Sequence, residues 1–292
     1  MFNFCINNKS NNDKKSVSCL FLLALSIFSL LTFNDATAQG NLLITPRRVV
    51  FDGTRRVMEL NLANTGQDTS KYNVSIIQYR MTDEGAFEEI TEPAPGQNFA
   101  DKYIRFFPRT VTLAPNESQV VKMQVTNTSN LAPGEYRSHV YFRAVPKEAA
   151  LGEENPNRDT TALSIKLVPI FGITIPVIIR IGQSDTKVSL SNLQLEMIND
   201  TTNRLSMVFN RTGNMSVYGD LRVIHISPSG KESVVGIVNG IAVYTPNTLR
   251  KFKLDLDNST KADFKTGRIR VTYSSQSDTR PEKFAEAELT LQ

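Results

Sequence analysis

From Leu163 to Ile181 every second residue is apolar: Leu163, Ile165, Leu167, Pro169, Phe171, Ile173, Ile175, Val177, Ile179 and Ile181. A period of two puts them all on one face of an extended chain and is incompatible with a helix, whose faces repeat every 3.6 residues. Pro169 and Pro176 interrupt the run. Proline lacks the N–H that a central strand offers its neighbour, so the segment belongs at a sheet edge. Fully extended at about 3.3 Å per residue it would exceed ~60 Å, several times an ordinary strand. One sandwich cannot bury all of it. Residues 173–181 are expected in a core, leaving Ile165, Leu167, Pro169 and Phe171 as an apolar comb. Such an edge invites aggregation unless a partner uses it. Two readings follow: a strand offered to another protein's incomplete sheet, or a long interior strand bent at its prolines and shared between sheets.

Short alternating runs punctuated by turns fill the rest of the chain. They are RRVVF (47–51), VMELNLAN (57–64), YNVSIIQYRM (72–81), SQVVKMQVTN (118–127) and YRSHVYFRAV (136–145). Seven or so strands in roughly 140 residues predict an all-β sandwich. A second set lies at 188–197, 204–209, 220–227, 240–244, 251–257, 268–273 and 284–291. It predicts another sandwich of about 110 residues. The boundary falls in IGQSDTK, residues 181–187, where alternation gives way to polar turn residues. The expected organisation is 1–38, 39–182 and 183–292. Residues 147–161 read as a polar surface loop.

The first part is a targeting signal. Lys9, Lys14 and Lys15 precede the apolar run at 17–33, and Ala36 and Ala38 supply small residues for cleavage after Ala38. An uncleaved anchor is the alternative, since the run approaches spanning length. Both cysteines, Cys5 and Cys19, lie inside the signal, so the exported chain has no disulfide, thiolate nucleophile or cysteine metal site. The formal net charge of +4 falls to about +3 in the mature chain. That is too mild, and too free of basic runs with interleaved aromatics, to point to nucleic acid.

Catalytic chemistry is scarce. The only histidines, His139 and His225, sit in alternating strand contexts and read as packed or surface residues. No glycine-rich phosphate loop follows a strand, and no cluster has metal-ligand spacing. The acid pairs Glu88–Glu89 and Glu153–Glu154 lie in loops and read as solvated charge. The chain is expected to be no enzyme, with no cofactor, metal or small-molecule substrate.

ITPRRVVFDG (44–53), LNLANTG (60–66), FFPRTVTLAPNESQVVKMQV (106–125), PGEYRSHVYFRAVP (133–146) and IPVIIR (175–180) resemble, in order and spacing, periplasmic pilus-assembly chaperones of the PapD type. The resemblance covers most of 42–182. The last 110 or so residues match only in size, position and β character. It implies two immunoglobulin-like β-sandwich domains in a boomerang arrangement with a cleft between them. It also implies a strand lent to a pilin-like subunit until an outer-membrane usher exchanges it. The donor residues would be Ile165, Leu167, Pro169, Phe171 and Ile173. Arg48 would anchor the subunit's terminal carboxylate, as a guanidinium can in a two-pronged grip. The family's second basic anchor would fall at Pro176, which is a departure. Lys166, Arg47 and Arg105 are candidates to replace it. An interdomain ion cluster would comprise Glu135, Arg180 and Asp263. The competing expectation is a structural or adhesive surface protein of two sandwiches that self-associates through the same strand.

Overall fold

The structure, a computed structural model, describes residues 42–146, 169–198, 202–277 and 281–291. The expected signal at 1–38, the loop at 147–161, and Ile165, Lys166 and Leu167 lie outside the described residues. The chain is all-β, as the period of two predicts, and residues 40–292 form one compact unit.

The first sandwich is built from β1 (Leu42–Thr45), β2 (Val49–Phe51), β3 (Val57–Asn64), β4 (Ser70–Ile77), β7 (Ile104–Phe107), β8 (Thr110–Leu113), β9 (Ser118–Val125), β10 (Gly134–Ala144) and β11 (Gly172–Ile181). A separate hairpin is made by β5 (Tyr79–Met81) and β6 (Phe87–Glu89). One sheet runs β1-β3-β9-β7, and the other β2-β11-β10-β4-β8. The chain therefore changes sheets between β1 and β2. Alternation sets the facing: Leu60 and Leu62 of β3, Val121 and Met123 of β9 and Phe142 of β10 are wholly buried in the shared core. The residues between them point out.

The second sandwich packs β12 (Lys187–Ile198), β13 (Thr202–Thr212) and β16 (Leu249–Asp255) against β14 (Val217–Ile226), β15 (Glu232–Val243), β17 (Gly267–Ser275) and β18 (Lys283–Leu291). Its core includes Leu205, Phe209, Leu221, Val235, Val271 and Tyr273. The Tyr273 hydroxyl donates to the Ile241 carbonyl at 2.8 Å, which satisfies its polar end within the core.

β10 and β11 are buried on both faces. Tyr136, Val140, Phe142, Ile175, Val177 and Ile179 face the first core. Between them Glu135, Arg137, His139 and Ile178 are also buried. The β5–β6 hairpin and the second sandwich cover that outer face: Ile178 clusters with Met81, Ala242 and Tyr244. The hairpin tip reaches β16, where Lys251 donates its N–H to the Asp83 carbonyl at 2.7 Å.

Candidate functional site

The end of the long apolar run is an open strand edge. β10 and β11 are antiparallel, with Phe142 opposite Ile173 and His139 opposite Pro176. Ala144 donates its N–H to the Phe171 carbonyl at 2.9 Å. Bonded and non-bonded pairs alternate in such a ladder, so Ile173, Ile175, Val177 and Ile179 also turn their backbone groups to β10. Gly172, Thr174, Pro176 and Ile178 turn theirs the other way. On that side β2 pairs only with Val177, Ile178 and Ile179. Among the described residues no strand pairs with this edge over 172–176. Pro176 thus forfeits no bond to β10, because its ring nitrogen faces the outer edge.

The side chains beside this edge are apolar and open. Phe171 is 47% exposed and Ile170 43%, while Ile173 is half-buried against the first core. Pro169 is exposed and precedes β11. Gly172 lies under the ring end of the half-buried Tyr141 side chain. A Cβ there would require the Tyr141 ring to turn aside.

Arg48, just before β2, lines a cleft of about 1330 Å³ between the two sandwiches. Its guanidinium lies 4.5 Å from the Tyr218 ring centroid and 5.4 Å from that of Tyr244. It donates to the Tyr244 hydroxyl at 3.3 Å and the Ser216 hydroxyl at 3.5 Å. These partners are aromatic faces and neutral hydroxyls, so they orient the cation without neutralising it. Among the candidates for a second base, Arg47 lines the same cleft. Arg105 does not; it donates to the carbonyls of Lys102, just before β7, and of Ile104 on β7.

Two of the three expected ion-cluster residues meet. Arg180 Nε lies 3.3 Å from Glu135 Oε2, and the same oxygen accepts from the Ser216 hydroxyl at 2.6 Å and the Ser216 N–H at 3.0 Å. Arg180 also donates to the Ser216 carbonyl at 2.7 Å. Asp263 does not join them. It stands on the loop before β17, where it accepts from the Lys265 N–H at 3.0 Å and the Thr266 hydroxyl at 3.1 Å. The Lys265 bond is the main reason its carboxyl is held below the usual range. Thr266 bonds in turn to His225, near the end of β14 opposite Ser216. The third partner is Ser216, a neutral side chain that spacing of charges could not reveal.

Sequence reasoning also missed the stack behind Arg48. Arg137 of β10 is buried, lies 4.3 Å from the Tyr244 ring centroid, and donates to the Thr245 carbonyl at 3.3 Å. Tyr244 therefore contacts two guanidinium groups. Burial pushes its hydroxyl pKa up, against the opposing pull of Arg48 and Arg137. His139, two residues along β10, is edge-on to Tyr79 at 5.1 Å and to Phe87 at 5.8 Å. Burial, helped by the charge of Arg137, lowers its pKa to about 3.

No protein-family model and no curated protein matches the sequence. Among solved structures, chaperones are similar to it. The YadV chaperone has 12% identity and a TM-score of 0.43, covering 86% of this chain and 100% of its own. The CupB2 chaperone of Pseudomonas aeruginosa has 14% identity and a TM-score of 0.40, covering 85% and 98%. A chain of the Salmonella enterica complex of SafA pilin with the SafB chaperone has 12% identity and a TM-score of 0.40, covering 88% and 99%.

Proposed function

We propose that this chain is a periplasmic chaperone that caps pilin-like subunits by lending them its β11 edge before hand-over to an outer-membrane usher. The observation that carries the reading is the edge of β11 over residues 172–176. It has backbone groups facing outward, apolar side chains beside it, and no paired strand among the described residues. An incomplete sheet placed there would gain ladder bonds at Gly172 and Thr174 and a carbonyl at Pro176. Ile165, Leu167, Pro169, Phe171 and Ile173 are the side chains assigned to fill its open core. Burying Ile165, Leu167, Pro169 and Phe171 in that way contributes roughly 6–12 kcal/mol before association costs.

Arg48 is the assigned anchor for the subunit's terminal carboxylate. Its stacking on Tyr218 and Tyr244 supports this, because an oriented guanidinium loses little freedom on binding. The Glu135–Arg180–Ser216 cluster holds the two sandwiches at the cleft. In this reading residues 1–38 are a signal cleaved after Ala38, 39–182 the lending domain and 183–292 the second domain. The cycle calls on no catalysis; the subunit's own folding supplies the free energy.

The test is recovery of bound subunit from periplasmic extract. Phe171→Glu puts a charge where the subunit core would close, at an exposed position whose loss leaves the fold intact. Bound subunit is expected to disappear, and likewise with Leu167→Glu. Undiminished recovery with both variants would overturn the assignment.

A further inference from the structure

The cleft holding Arg48 carries more positive charge than a single terminal carboxylate needs. Its walls include Arg47, Arg48, Arg180, Lys187 and Lys283, against one acid, Glu282. Two of the cations are already paired, Arg180 with Glu135 and Lys283 with Glu286 at 3.4 Å. Among the described residues Arg47, Arg48 and Lys187 have no acidic partner within salt-bridge distance. Unneutralised like charges around a concave wall repel one another and focus a positive potential into the space between them.

The three stand on both sides of that space. Arg47 and Arg48 belong to the approach to β2 in the first sandwich, and Lys187 opens β12 in the second. Lys187 is fixed close to the Arg48 end. Its neighbour Thr186 bonds to both the carbonyl and the N–H of Met215, through its hydroxyl, at 2.9 and 3.0 Å. Met215 adjoins Ser216, whose hydroxyl accepts from Arg48.

We infer that the cleft selects an acidic peptide terminus: a terminal carboxylate at Arg48 and a second carboxylate, from a Glu or Asp just upstream, at Lys187. Lys187 then supplies, from the opposite wall, the second cation that Pro176 does not. The inference rests on the chaperone reading and adds a sequence preference to it. A ligand bridging the two walls would also make affinity depend on Lys187 of the second sandwich.

The test uses fluorescein-labelled octapeptides and the full chain, with affinity read by anisotropy. One ends Glu-Glu-Tyr with a free carboxylate, one ends Gln-Gln-Tyr, and the third is the Glu-Glu-Tyr peptide amidated. The Glu peptide is expected to bind the wild-type chain about fivefold more tightly than the Gln peptide, with the gap closing in Lys187→Gln. Amidation should weaken binding to both proteins, because it acts at Arg48. Equal affinities for the Glu and Gln peptides, a gap that persists in Lys187→Gln, or no binding by any peptide would overturn the inference. Subunit recovery with Phe171→Glu judges the chaperone reading separately. Loss of recovery there beside equal peptide affinities would leave the chaperone standing without the acidic preference.

Discussion

Arg180 and Glu135 face each other across a non-bonded pair of the β10–β11 ladder, and their 3.3 Å contact is completed by Ser216 of the second sandwich. Both charges come from the first sandwich, and the second contributes a hydroxyl, an N–H and a carbonyl. Opposed residues of a non-bonded pair bring their side chains closest. The β10–β11 register that leaves the outer edge of residues 172–176 unpaired therefore also assembles the joint between sandwiches.

Breaking that joint leaves a partly buried cation without its counter-ion. Glu135→Ala is expected to cost about 3 kcal/mol in urea unfolding. Asp263→Ala should leave the joint unchanged, since Asp263 bonds only within its own loop. Equal losses from the two substitutions would put Asp263 in the cluster after all.

The two edges of β11 should respond differently to proline. Thr174→Pro removes an outward N–H and is expected to abolish subunit binding while the chain still folds. Ile175→Pro removes an N–H directed to Val140 and should destabilise by about 3 kcal/mol or more. Matching unfolding curves for the two variants would contradict the assigned ladder.

Arg48 is held by two aromatic rings and two hydroxyls, a setting that suits a planar guanidinium. Arg48→Lys keeps the charge yet loses the fork. About tenfold weaker binding of a free-carboxylate peptide is expected, with stability near wild type. Unaltered affinity would mean that charge alone suffices in the cleft.

His139 makes stability depend on pH. Its folded pKa, about 3, lies below the ordinary value of 6.5, so on acidification the unfolded chain takes up a proton that the folded chain refuses. The neutral ring's contribution is present above pH 6.5 and is lost as pH falls toward 3. Between pH 7 and pH 5 this amounts to about 2 kcal/mol. The carboxylates with lowered pKa, such as Asp52 and Glu288, add their losses below that window. Urea unfolding of His139→Phe at both pH values should show most of the drop removed.

Much of this fold can be read from the period of two, because alternation is enforced wherever one face meets a core. Residues 57–64 were expected as a strand and are β3. The pattern fails where strands are short or both faces are covered. β1, β7 and β8 have four residues each, too few for a period to stand out. β15 starts at Glu232, well before the expected residue 240, because Gly236 and an exposed Ile237 blur its alternation. The run expected at 72–81 is two strands, β4 and β5, broken at Gln78. Arg48, Glu135 and Arg180 were singled out through resemblance, and the structure brings Glu135 and Arg180 together. The Arg48–Tyr244 contact joins residues 196 positions apart and carries no local signal. Ser216 stayed hidden because its role depends on a backbone N–H and carbonyl as much as on its side chain.

Amide hydrogen exchange at Gly172 and Thr174 tests the lent edge most directly. It should be measured in the free chain and in the complex recovered from periplasmic extract. Both amides are expected to exchange quickly in the free chain and to become protected once a subunit is bound, while those of Ile173 and Ile175 stay protected throughout. Slow exchange at Gly172 and Thr174 in the free chain, or no added protection in the complex, would contradict the account.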